Sequence, residues 1–316
     1  MIIEIDVMAA HDERAHDDLD RILYKVEDGW HLLHGADLED LVSTPWLRDQ
    51  GRAGTKAREL VQAAIQRSAY PTKPHRRRIR VTPSPQQDGE LTPKHAARLS
   101  EQPLVILVEN RFDDGAFVRR IVAEFDRSFN KYLSTSTAPV TFDSVGGKGQ
   151  MQREVEARCQ QGPRPRLVVV VDSDRRAPSD PPSPEATRLH GACSRRGIPC
   201  WVLAKREAEN YLPKMLLDAH RNTGSEHRRR VDAWAKLNED QKDFYDMKEG
   251  LSGGPTEAER ALFDDLPSGQ RATLGSGFGS KISQCWRHYP ANARDELRVR
   301  GRGDLELGLE FIRQEI

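Results

Sequence analysis

The sequence predicts an α/β fold in which a parallel sheet is flanked by helices, with helical additions on its N-terminal and C-terminal sides. Short apolar runs at Leu104–Val108, 140–145, Leu167–Val171 and 198–203 fit strands. Helical apolar spacing separates them, at Phe117, Ile121, Val122 and Phe125, then 151–159, then through Leu189 and Cys193. Strands that alternate with helices in this way form parallel sheets with right-handed crossovers.

In chain order, residues 1–98 read as a mostly helical region with a linker. Leu19, Ile22, Leu23 and Val26, then Leu60, Val61, Ala64 and Ile65, have helical spacing, and from residue 70 to 103 the text turns to Pro, Gln, Gly and Lys/Arg. Residues 99–213 read as the α/β domain. Its run Leu167–Val171 has five apolar residues, four of them valine, which suits a central strand buried on both faces. Gly146-Gly147-Lys148-Gly149 breaks the chain after the second strand, and a Pro-rich loop precedes the last helix of the unit. Residues 214–316 read as helical and charged, closing on Leu307, Leu309, Phe311 and Ile312 of a docked terminal helix.

Composition narrows the function. Lys and Arg number 49 and Asp and Glu also 49, so there is no global basic field and any nucleic-acid contact must be local. No run approaches the roughly 18 apolar residues of a membrane span. The four cysteines form no CxxC pair and no export signal opens the chain, so the expectation is a reduced, cytoplasmic protein without a zinc site. The runs 75–78 and 227–230, each His-Arg-Arg-Arg, suit phosphate contacts. In so charge-rich a chain, solvated faces are the preferred reading.

Parallel sheets place their chemistry at the carboxyl ends of the strands. Glu109 follows the first strand directly and Asp172 the third, with Asp174 two residues on and Asp113 at the next loop-to-helix transition. Carboxylates crowded there repel one another unless a cation compensates. All-oxygen donors select Mg²⁺ or Mn²⁺, and a pair of such ions roughly 3.5–4 Å apart serves phosphodiester hydrolysis. Asp114 and Asp180 read as helix-cap or solvated loop residues.

These residues resemble the Toprim pattern, a Glu after the first strand and a DxD after the third: here Val108-Glu109-Asn110 and Val171-Asp172-Ser173-Asp174. The segment 205–212, Lys-Arg-Glu-Ala-Glu-Asn-Tyr-Leu, is similar to the stretch after the fourth strand in Toprim nucleases of the overcoming-lysogenization-defect (OLD) type. The resemblance spans about residues 100 to 250 and implies a Rossmann-like sheet and a two-metal endonuclease. It implies that Glu109, Asp113 and Asp172 serve one ion, and Asp174 with Glu207 or Glu209 the other. It also implies a lysine that steadies phosphate charge, Lys248 ahead of Lys281. Such nucleases work beside an ABC-type ATPase in bacterial defence against phage or plasmids. No GxxxxGK[ST] loop occurs here, so an ATPase would be a separate partner. DNA ranks ahead of RNA as substrate, with homo-oligomerisation open. The competing reading is a non-catalytic nucleotide- or nucleic-acid-binding scaffold subunit with a structural metal.

Overall fold

Among the described residues, eight strands build two separate four-stranded sheets, and every pairing within them is parallel. The computed structural model describes residues 1–35, 38–48, 51–68, 76–133, 139–219, 224–252, 254–287 and 293–316.

The second sheet is the expected one. Its strands are β5 (Leu104–Val108), β6 (Val140–Ser144), β7 (Leu167–Val171) and β8 (Cys200–Val202), in the order β6-β5-β7-β8. All five residues of β7 are buried. Val168 and Val170 join the apolar cluster on one face, while Leu167, Val169 and Val171 join the cluster on the other. Two-residue periodicity with both faces covered is why this strand is apolar throughout rather than alternating. Leu107 stands opposite Val169. That register brings Glu109, which follows β5, and Asp172, which follows β7, to the same edge.

The N-terminal region is rich in helix, as expected, and it also holds strands that the sequence reading left out. Residues 1–98 hold a parallel sheet of their own, ordered β2-β1-β3-β4, from β1 (Ile2–Ile5), β2 (Leu32–Leu33), β3 (Arg78–Val81) and β4 (Glu90–Leu91). Helices such as His16–Glu27 and Pro93–Glu101 pack beside it, and together they bury a separate apolar cluster. Two of its strands have only two residues each, too few to show a period. The stretch read as a linker contributes β3, β4 and a helix, with 70–75 lying outside the described residues.

This topology also explains one basic run. In β3, Ile79 and Val81 point inward, while Arg78 and Arg80 point outward to Glu4 (2.7 Å) and Asp6 (2.9 Å). Opposite charges facing across paired strands stabilise a sheet by roughly 0.2–1 kcal/mol each. Arg77 is consumed in a different way: it donates to Glu315 at 3.1 Å and to the carbonyl of Pro165 at 3.1 Å. His75 lies outside the described residues. In the second run, Arg230 pairs with Glu226 at 2.7 Å.

The C-terminal region is helical, as expected, and it covers one face of the second sheet. The last helix, Asp304–Gln314, seats Gly308 directly against the ring of Trp201, where a Cβ would come within 2.3 Å. Asp304, at its start, accepts from Trp201 Nε1 and the Ala204 amide, both at 3.1 Å, and from the Tyr211 hydroxyl. At its other end Glu315 takes Arg77 and Arg164, tying both sheets to the C-terminus. Among the described residues no helix is long and apolar enough to cross a membrane. Because Trp201 is buried and cannot swing aside, Gly308→Ala should destabilise the chain by about 1–3 kcal/mol, measured by urea unfolding. An unchanged midpoint would mean that the helix does not seat as described.

Candidate metal centre

The loop after β8 supplies the deepest acids, and its sequence explains how. Arg206 anchors it by donating to Asp246 (2.6 Å) and Glu259 (2.9 Å). Glu207 then caps a short 3₁₀ turn, Ala208–Tyr211, in which Asn210 Oδ1 accepts from the Glu207 amide at 3.0 Å. Asn210 is fully buried and its Nδ2 donates to the carbonyls of Lys242 (2.8 Å) and Tyr245 (2.9 Å). Tyr211 is held by Asp304 and lies in an aromatic group with Phe117, Trp201 and Trp286. With Arg206, Asn210 and Tyr211 committed to the scaffold, Glu207 and Glu209 are directed at Asp172.

These three carboxylates converge: one oxygen from each of Asp172, Glu207 and Glu209 lies within 4.8 Å of the others. Each also accepts from a donor outside the set. The Ala208 amide donates to Asp172 Oδ1 (2.9 Å), the Met247 amide to Glu207 Oε1 (3.0 Å) and the Ser283 hydroxyl to Glu209 Oε1 (2.7 Å). Lys248 Nζ reaches Glu207 Oε2 at 2.8 Å and Glu209 Oε2 at 3.2 Å. The donor set is all carboxylate oxygen, which fits a hard divalent cation such as Mg²⁺ or Mn²⁺.

Electrostatics record the strain of this convergence. Burial, then Asp114, Glu209 and Glu207, push the Asp172 carboxyl well above its ordinary range. Burial, then Glu209, raises Glu207 to about 7 despite Lys248. Burial also raises Asp114 to about 6, with Glu209 and Glu109 adding to it. For Lys248 burial acts against the charge, but Glu207, Glu209 and Asp172 outweigh it and hold the ammonium above the ordinary lysine range.

The other sequence-predicted residues fall into different company. Glu109 and Asp174 share Lys148, whose Nζ lies 2.9 Å from Glu109 Oε1 and 2.6 Å from Asp174 Oδ2. Asp174 adopts φ of 54°, a left-handed conformation uncommon for a residue with a side chain. It also accepts from the Ser183 hydroxyl at 2.9 Å. Asp113 turns to Arg287 (2.7 Å) and Asn110 Nδ2 (2.9 Å). Lys281 is exposed. The geometry therefore groups Asp172 with Glu207 and Glu209, and Glu109 with Asp174, a division different from the one that the resemblance implies.

Asp114 is a correction. It is no solvated cap: it is half-buried at the start of the helix Asp114–Phe125, accepts from the Asn110 amide at 2.9 Å and feels the charges of Glu109 and Glu209. The signal available in the sequence was the pair Asp113-Asp114 after a strand. Which member turns inward depends on where the helix begins. Asp180 stays at the surface loop, half-buried, its carbonyl accepting from Arg175 Nε at 2.7 Å. Lys148 and Ser283 carried no motif signal.

Comparison of the chain with family models, with curated proteins and with solved structures returned no match.

A carboxyl whose folded pKa is raised binds more protons folded than unfolded, so stability is lost as pH rises from the unfolded value towards the folded one. For Glu207 that window runs from 4.5 to about 7. Thermal unfolding in chelator should therefore show falling stability across this window. Mg²⁺ should raise the midpoint more at pH 8 than at pH 5, since ligation requires deprotonated carboxylates. Glu207→Gln should flatten the chelator profile; an unaltered slope would contradict the assignment.

Proposed function

We propose that the chain is a divalent-metal-dependent nuclease that hydrolyses phosphodiester bonds, with its centre at the carboxyl edge of a Toprim-like sheet. The observation that carries the reading is the convergence of Asp172, Glu207 and Glu209 within 4.8 Å. Such a set has little purpose without a cation, because burying three carboxylates together is costly. A Mg²⁺ or Mn²⁺ ion held there would supply Lewis-acid polarisation of a phosphoryl oxygen and acidify a water.

The chain's own residues supply the rest. Asp114 stands beside the triad, and its carboxyl, raised to about 6, is matched to accepting a proton near neutral pH. Water attacks phosphorus, its proton passes to Asp114, the bond from phosphorus to the leaving oxygen breaks, and that oxygen takes a proton from solvent. Lys248, its side chain about one-third exposed on a flexible stem, can leave Glu207 and Glu209 to meet the phosphate. Exposed Arg111 and the partly exposed Arg176 border the edge and offer backbone-phosphate contacts.

The resemblance to OLD-type nucleases extends this reading to an endonuclease, DNA ahead of RNA, acting as the effector of a bacterial defence complex governed by a partner ATPase. The decisive experiment follows cleavage of supercoiled plasmid, linear DNA and structured RNA with Mn²⁺ or Mg²⁺. Asp172→Asn and Glu207→Gln should each lose at least about 100-fold in rate, since even residues that only orient metal ligands cost 10–100-fold. Cleavage that survives in Asp172→Asn would overturn the proposal. A metal-binding but inactive wild-type chain, alone and with its partners, would favour the scaffold reading.

A further inference from the structure

We propose that Lys148 occupies the second cation position of this centre, so that the protein takes one divalent ion and uses an ammonium where a paired-ion site has its other metal. The first ion rests on the reading above; the place of Lys148 rests on its own contacts.

Those contacts are a cation's contacts. Nζ lies 2.9 Å from Glu109 Oε1 and 2.6 Å from Asp174 Oδ2, bridging the carboxylates that leave β5 and β7. The side chain is only 10% exposed. It arrives from a third strand end: β6 runs into Gly146 and Gly147, with φ of 73° and 57°, and Lys148 opens the helix Gly147–Gln160. A Cβ at either glycine would meet nothing, so these glycines serve the turn and not a close approach. The left-handed backbone at Asp174 turns its carboxylate to the same ammonium, and Ser183 braces that same oxygen at 2.9 Å.

Lys148 differs from Lys248 in a way that decides their roles. Lys248 lies within the triad and is 36% exposed, so an entering ion can displace it into solvent. The Lys148 side chain is more covered, at 10% exposed, and neither of its partners belongs to the triad. A second ion there would have to expel an ammonium already paired to both carboxylates and shed its own water for them, whereas Mg²⁺ dehydrates reluctantly. The ammonium provides a permanent positive charge beside the metal, on the same edge of the sheet, available to a phosphate oxygen.

Removing the lysine leaves Glu109 and Asp174 uncompensated and open to a metal. Mn²⁺ binding to the full chain, counted by titration with electron-spin detection of free ion, should give one ion for wild type and for Lys148→Arg. Lys148→Met and Lys148→Gln should each bind one ion more than wild type, and in chelator both should melt below wild type and recover with Mn²⁺. The second variant serves if the first fails to fold. Equal counts in wild type and both neutral variants, or two ions in wild type, would overturn the proposal. In an Asp172→Asn background Lys148→Met should still gain an ion. A wild type that binds none alongside a Lys148→Met that binds one would sink the triad reading and sustain this one.

Discussion

Negative charge gathered at one edge of a parallel sheet has to be neutralised, and much of this structure follows from that constraint. Glu109 and Asp174 leave β5 and β7 and meet Lys148. Glu207 and Glu209 meet Lys248, with Asp172 and Asp114 alongside. Two lysines against six carboxylates leave a deficit of positive charge. The raised carboxyls of Asp114, Asp172 and Glu207 reflect their burial first and this crowding of like charge second.

Holding such a set together requires a stiff support, and the C-terminal region supplies it. Lys205 and Asp243, both nearly fully buried, pair at 2.6 Å, and Arg300 joins Asp243 at 2.9 Å. Breaking a buried pair of this kind by removing one partner costs about 3–5 kcal/mol. The Arg206 amide donates to the Asp243 carbonyl, and the Asp174 amide to the Arg206 carbonyl, so the loops after β7 and β8 form one unit. Asp304 locks Tyr211 and Trp201, and Ser283 reaches in from a 3₁₀ turn to brace Glu209. Residues 214–316 are thus part of the centre's architecture and not an appendage to it.

What could be read from the chain divides along the reach of the interactions. β7 announced itself because a strand buried on both faces needs an uninterrupted apolar run. Glu109 and Asp172 could be placed because a parallel sheet brings the ends of its strands to one edge whatever the details of packing. The N-terminal sheet was not legible: Leu32–Leu33 and Glu90–Leu91 are strands only because Ile2–Ile5 and Arg78–Val81 lie beside them. Arg78 and Arg80 looked like a basic patch because their partners, Glu4 and Asp6, are distant in sequence.

The sequence by itself determined the parallel α/β class, the carboxyl edge as the place for chemistry, and the acids that leave the second sheet's strands. These follow from local periodicity and from the direction of strands, which short stretches of chain encode. The tertiary structure decided which carboxylates share a cation. Asp114 rather than Asp113 turns inward because of the phase at which its helix starts, with Arg287 drawing Asp113 away. Asp172 and Asp174, two residues apart, join different groups, the first with Glu207 and Glu209 and the second with Lys148, because the backbone turns left-handed at Asp174. Charge pairing acts over a few ångströms of space and is indifferent to separation along the chain, so only the folded arrangement could assign it.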